Sequence, residues 1–120
     1  MRIYTYKNCS TCRNATRWLD ARGLDYEELP IRETPPNPTE LATMLNYQQG
    51  NMRKLFNSSG ADYRELGLKD KLPEMTQTDI FELLASRGNL VKRPFLLGDG
   101  FGLVGFKESE WSAAMPDPRP

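Results

Sequence analysis

Cys9 and Cys12 are the only cysteines of the chain, and they stand three residues apart in Cys9-Ser10-Thr11-Cys12. Two thiols at this spacing, placed between a strand signal and the first turn of a helix, are suited to thiol–disulfide exchange. The unpaired backbone N–H groups and the positive dipole end of a helix N-terminus favour a thiolate, and Lys7 and Arg13 add positive charge nearby. Cys9 is therefore expected to be the nucleophile. Cys12, one turn further along the same face and more shielded, is expected to resolve a mixed disulfide formed on Cys9. Other uses of the pair fit less well. Zinc needs about four ligands, and the chain has no His and no third Cys. A purely structural disulfide between residues this close would remove little loop entropy. Two inert thiols would require both side chains to face the core.

The elements that must position this pair follow from pattern. Arg2-Ile3-Tyr4-Thr5-Tyr6 is rich in β-branched and aromatic residues and predicts a strand, with Lys7-Asn8 as a polar loop. Helical periodicity from Thr11 to Arg22, closed by Gly23, predicts the helix that carries the pair. Asp25 to Pro30 predicts a second strand, parallel to the first through the helical crossover. Asn37 as N-cap, Pro38 and Glu40 open a helix ending near Gly50. Short helical turns are expected over Met52–Phe56 and Tyr63–Leu66, with Asn57-Ser58-Ser59-Gly60 as a turn. Thr76 and Asp79 cap a helix from Gln77 to Arg87, with Gly88 as its stop. Phe95-Leu96-Leu97 and Leu103 to Phe106 predict a hairpin around a Gly-rich loop, which lies between strands and so lacks the helix N-terminus of a nucleotide site. A helix from Glu108 to Met115, anchored by Trp111, is followed by a frayed Pro116–Pro120 tail.

Composition bounds the function. The 120 residues suit one domain, with 38% apolar content typical of a globular chain. Sixteen basic residues balance sixteen acidic ones, which argues against broad binding to nucleic acid or to an anionic membrane. The absence of His excludes His-dependent hydrolysis. With no long apolar run and no signal-peptide pattern, the default expectation is the cytoplasm, where a lone C-x-x-C is more often catalytic than structural.

Four segments in order carry a resemblance that covers nearly the whole chain. Cys9-Ser10-Thr11-Cys12-Arg13 behind an opening strand, Tyr63-Arg64-Glu65-Leu66-Gly67-Leu68, Lys92-Arg93-Pro94 and Val104-Gly105-Phe106-Lys107-Glu108 together resemble the arsenate reductase/Spx family, nearest to its Spx-like branch. The resemblance implies an α/β, thioredoxin-like (glutaredoxin-like) fold. Residues 1–31 and 89–120 would form the core of a single domain. Residues 32–88 would be a helical insertion between strand 2 and the C-terminal hairpin. It implies a cis bond before Pro94, which would pack on the substrate side of the cysteines, and an Arg93 guanidinium that stabilises thiolate or sulfenate. It implies no bound cofactor, with a thiol electron donor such as glutathione and glutaredoxin, or thioredoxin. The arsenate-reducing branch has one catalytic cysteine, matching Cys9, and three arginines. Only Arg93 matches these; the other two positions fall near Asn57 and Phe106. One arginine does not reproduce an oxyanion fork of three, so arsenate reduction is expected to be poor. The regulators of the Spx branch carry a redox-active C-x-x-C and bind the RNA polymerase α subunit through their helical insert. The expectation is a cytoplasmic thiol–disulfide oxidoreductase acting on a protein or small-molecule disulfide. An Spx-type regulator and a glutaredoxin-dependent arsenate reductase are the alternatives.

Overall fold

The computed structural model describes residues 1–116. The expected tail, from residue 117 on, lies outside the described residues. Strand β1 (Arg2–Thr5) is central in a four-stranded sheet of order β2-β1-β3-β4. It pairs parallel with β2 (Glu27–Pro30), as a βαβ crossover requires, and antiparallel with β3 (Phe95–Leu97). β3 turns back into β4 (Gly102–Val104).

Alternation along β1 and β3 divides the core into two layers. Ile3 and Leu96 join Ala15, Leu19 and Trp111 on the side of helices α1 (Ser10–Ala21) and α6 (Glu108–Ala114). Tyr4 and Phe95 join Leu41, Met44, Ile80 and Leu84 on the side of α2 (Pro38–Tyr47) and α5 (Gln77–Ser86). The helical segment between β2 and β3 is thus no appendage. It supplies the helices of the second layer, including the short α3 (Ala61–Glu65) and α4 (Leu68–Lys71).

The capping signals act as expected. Asn37 Oδ1 accepts the Glu40 N–H at 2.8 Å while Glu40 Oε1 accepts the Asn37 N–H at 3.1 Å. Thr76 Oγ1 accepts the Asp79 N–H. Gly23 ends α1 at φ +67, with Gly23 N–H donated to Asp20 O and Leu24 N–H to Leu19 O, a Schellman closure. α5 stops at Ser86 with Arg87 as its cap, just ahead of Gly88 as expected, although Gly88 does not have positive φ. The glycine is needed because a Cβ there would lie 1.8 Å from the Ile31 carbonyl oxygen. β4 also ends earlier than expected, because Gly105 turns at φ +71 and donates its N–H to Pro94 O. Phe106 then joins Trp18 and Trp111 in an edge-to-face aromatic cluster, and Trp111 Nε1 donates to Gly105 O.

Candidate active site

The cysteine loop is built from backbone. The Cys9 N–H is donated to Tyr6 O at 3.1 Å, closing a tight turn after β1, and the Arg13 N–H to Cys9 O begins the helix. Cys9 is itself the N-cap, with extended φ and ψ, and its sulfur accepts the Cys12 N–H at 3.2 Å. Helix α1 therefore starts one residue before the expected Thr11, because the sulfur takes the place of the usual capping oxygen. Arg13 donates to Lys7 O, so its guanidinium braces the loop.

The two thiols are free and differ in access. Cys9 is partly exposed, whereas Cys12 is 2% exposed on the buried stripe it shares with Ala15 and Leu19. Burial pushes the Cys12 thiol up to about 12, and its hydrogen bond to Cys9 and the Cys9 charge act in the same direction. A hydrogen bond from the Tyr6 backbone and the charge of Arg93 oppose this in part.

The Arg93–Pro94 bond is cis, and Pro94 is buried at the start of β3, the strand beside β1. The Arg93 guanidinium carbon lies 4.9 Å from the centre of the Tyr6 ring, and its Nη1 is buried with no hydrogen-bond partner among the described residues. Tyr6 collects a second arginine. Arg32, just past the end of β2, donates Nη1 to the Tyr6 hydroxyl at 2.9 Å and sits 5.0 Å from the ring centre. Hydrogen bonds from Asn8 and Arg32 pull the Tyr6 phenol below its ordinary range. The structure thus gathers Cys9, Cys12 and Arg93 at one end of the sheet and adds Tyr6 and Arg32, which the sequence reading did not single out. A signal for them existed: in a βαβ unit the residues following both parallel strands emerge at the same edge.

The two positions lacking arginine are occupied structurally. Asn57 joins its turn to the residues before β3, donating Nδ2 to Asn89 O and its N–H to Leu90 O. Phe106 belongs to the aromatic cluster. Arg64 donates to Ser59 O at the surface.

A thioredoxin-like α/β fold with a C-x-x-C pair at the first helix defines the class. Residues 4–114 match the model of the ArsC family, and the chain belongs to that family. It is 42% identical over 109 residues to YusI of Bacillus subtilis, covering 91% of this chain and 92% of YusI. It is 25% identical to the global transcriptional regulator Spx of Streptococcus agalactiae, covering 95% and 82%. Among solved structures, an ArsC family related protein of Bacteroides fragilis matches with a TM-score of 0.86 and 39% identity, covering 93% of this chain and 94% of that one. A Streptococcus mutans protein described as a possible arsenate reductase matches with a TM-score of 0.84 and 37% identity, covering 92% and 96%.

Proposed function

We propose that the protein is a thiol–disulfide oxidoreductase in which Cys9 attacks and Cys12 resolves. The observation that carries this reading is the unequal placement of two neighbouring thiols, Cys9 partly exposed with its sulfur accepting the Cys12 N–H, and Cys12 buried. The Cys9 thiolate attacks one sulfur of a substrate disulfide, forms a bond to it and expels the other half as a thiolate, which takes a proton from water. Cys12 then gives up its proton and attacks the Cys9 sulfur. The Cys9–Cys12 disulfide forms and the second half of the substrate leaves as a thiol. The substrate gains two electrons and two protons, and the protein dithiol loses them. A thiol donor, glutathione with glutaredoxin or thioredoxin, returns the dithiol by the same exchange in reverse. Arg93 favours the Cys12 thiolate through its charge, and buried Pro94 forms the substrate-side wall.

The test is a trap. Incubated with oxidised glutathione, Cys12→Ser should accumulate one mixed disulfide by intact mass, the wild type should proceed to the internal disulfide, and Cys9→Ser should give neither. A trap on Cys9→Ser in place of Cys12→Ser would reverse the roles and end the reading.

The similarity to proteins named Spx, and to the regulatory protein MgsR of Bacillus subtilis, favours a second reading in which the same redox pair serves a transcription regulator. Its partner would be the RNA polymerase α subunit, met by the helices between β2 and β3. Co-purification with polymerase in the absence of thiol-coupled turnover would select this reading. Arsenate reduction ranks third, because Asn57 and Phe106 stand where two oxyanion-holding arginines would be needed.

A further inference from the structure

A cavity of about 300 Å³ opens beside β4, at the same end of the sheet as the cysteine loop. Its rim carries Arg53, Lys54, Lys92 and Lys107, with Glu110 as the one carboxylate. This is a marked departure for a chain whose 16 cations and 16 anions cancel overall. Among the described residues none of these four cations is in an ion pair; the ion pairs there are Arg2–Glu27, Arg2–Glu40 and Arg87–Asp62.

The walls are fixed by bonds within the protein. The Phe56–Val91 bridge and the Lys92 N–H donated to Leu55 O hold the Arg53–Phe56 segment against the residues before β3. Arg53 donates to the Tyr63 hydroxyl and to Lys69 O, which fixes its guanidinium. Gln48 donates Nε2 to Gly102 O and joins α2 to β4. The floor is apolar, from Phe56, Leu103 and Val104.

We propose that this cavity is an anion-binding site, separate from the cysteine pair, that takes a small phosphorylated molecule. Four positive charges against one negative exceed what a single carboxylate would neutralise and suit a phosphate or diphosphate, for which lysines act as point charges. The volume lies at the small end of ligand pockets, which run from about 300 to 1,000 Å³, and so fits a small molecule rather than a length of polypeptide. The apolar floor receives the rest of the ligand. The site lies two strands from β1, about 10 Å across the sheet from the cysteine loop at a spacing of about 4.8 Å per strand.

The experiment is an amide chemical-shift titration of the reduced full-length protein with sodium pyrophosphate, then with phenyl phosphate. Saturable shifts are expected at Lys54, Phe56 and Lys107, with phenyl phosphate adding shifts at Leu103 and Val104. Binding should weaken roughly tenfold in Lys54→Gln/Lys107→Gln, fall as salt is raised from about 20 to about 200 mM, and persist in Cys9→Ser. Persistence in Cys9→Ser separates this site from the redox reading. Shifts confined to residues 9–13 and Arg32 would place the anion at the cysteine loop and overturn the proposal. Absence of saturation, or tighter binding of a hexaglutamate peptide than of pyrophosphate, would also overturn it, the latter in favour of an acidic protein segment.

Discussion

The unequal environments of the two thiols set a measurable ratio of reactivities. Cys12 is moved from its ordinary 9.0 to about 12, which lowers its thiolate population about a thousandfold at any pH well below both values. Part of this shift comes from Cys9 and is absent once Cys9 is replaced, but burial is the largest cause and remains. Single-cysteine variants separate the two sites: Cys12→Ser reports on Cys9 and Cys9→Ser on Cys12. At pH 7.5 iodoacetamide should modify Cys9 at least about a hundredfold faster than Cys12, since the thiolate deficit combines with poor access to a side chain 2% exposed. Across a profile from pH 6 to 11, followed by intact mass, the Cys12 rate should still be rising at pH 10. Equal rates at pH 7.5, or a Cys12 plateau below pH 9, would refute both the burial argument and the division of roles.

Arg93→Ala should slow release of thiol from a mixed disulfide preformed on Cys9, because the charge that pulls the Cys12 thiol down is removed; Arg93→Lys should recover part of the rate in a stopped-flow assay. Gly88→Ala should destabilise by about 2–4 kcal/mol, seen as a loss of Tm, because the new methyl overlaps the Ile31 carbonyl. An unchanged Tm would mean that this backbone contact yields easily. Tyr4→Phe should flatten the alkaline limb of stability. Burial, with Glu40 second, pushes the Tyr4 phenol up to about 12. Its contribution is therefore full below about pH 10, where the unfolded chain is still protonated, and is lost as pH rises towards 12. Urea midpoints at pH 8 and pH 10.5 should differ less in the variant than in the wild type.

The legible parts of the chain were those governed by local chemistry. The Asn37–Glu40 box, the Thr76 cap, the Gly23 closure and the parallel β1–β2 pairing all depend on residues within one turn or one crossover, and the structure has each of them. Gly88 follows the end of α5 as read, but a glycine after a helix has two physical explanations, positive φ and close approach. Only the distant Ile31 carbonyl decides between them. Tyr6 was read as the last residue of a strand, yet it is the platform that gathers Arg32 and Arg93. No periodicity encodes that role, since it arises where three separate segments meet at one sheet end. The basic cavity beside β4 was equally hidden, because Arg53, Lys54, Lys92 and Lys107 are scattered along the chain.

The shift that keeps Cys12 inert also shows how it could become a nucleophile at the right moment. In the dithiol, three influences hold its proton: burial, the hydrogen bond to Cys9 and the Cys9 charge. Once Cys9 forms a mixed disulfide, its charge is gone and its sulfur is a poorer acceptor, while the Tyr6 backbone bond and Arg93 still favour the Cys12 thiolate. Two of the three restraints are thus released by the first chemical step. Capping Cys9 with a methylthio group should therefore be followed by spontaneous loss of methanethiol and closure of the Cys9–Cys12 disulfide. The same cap on Cys9 in Arg93→Ala should persist several times longer. A wild-type cap as long-lived as that in Arg93→Ala would show that the guanidinium does not act on Cys12, leaving the backbone of Tyr6 as the only group drawing out its proton.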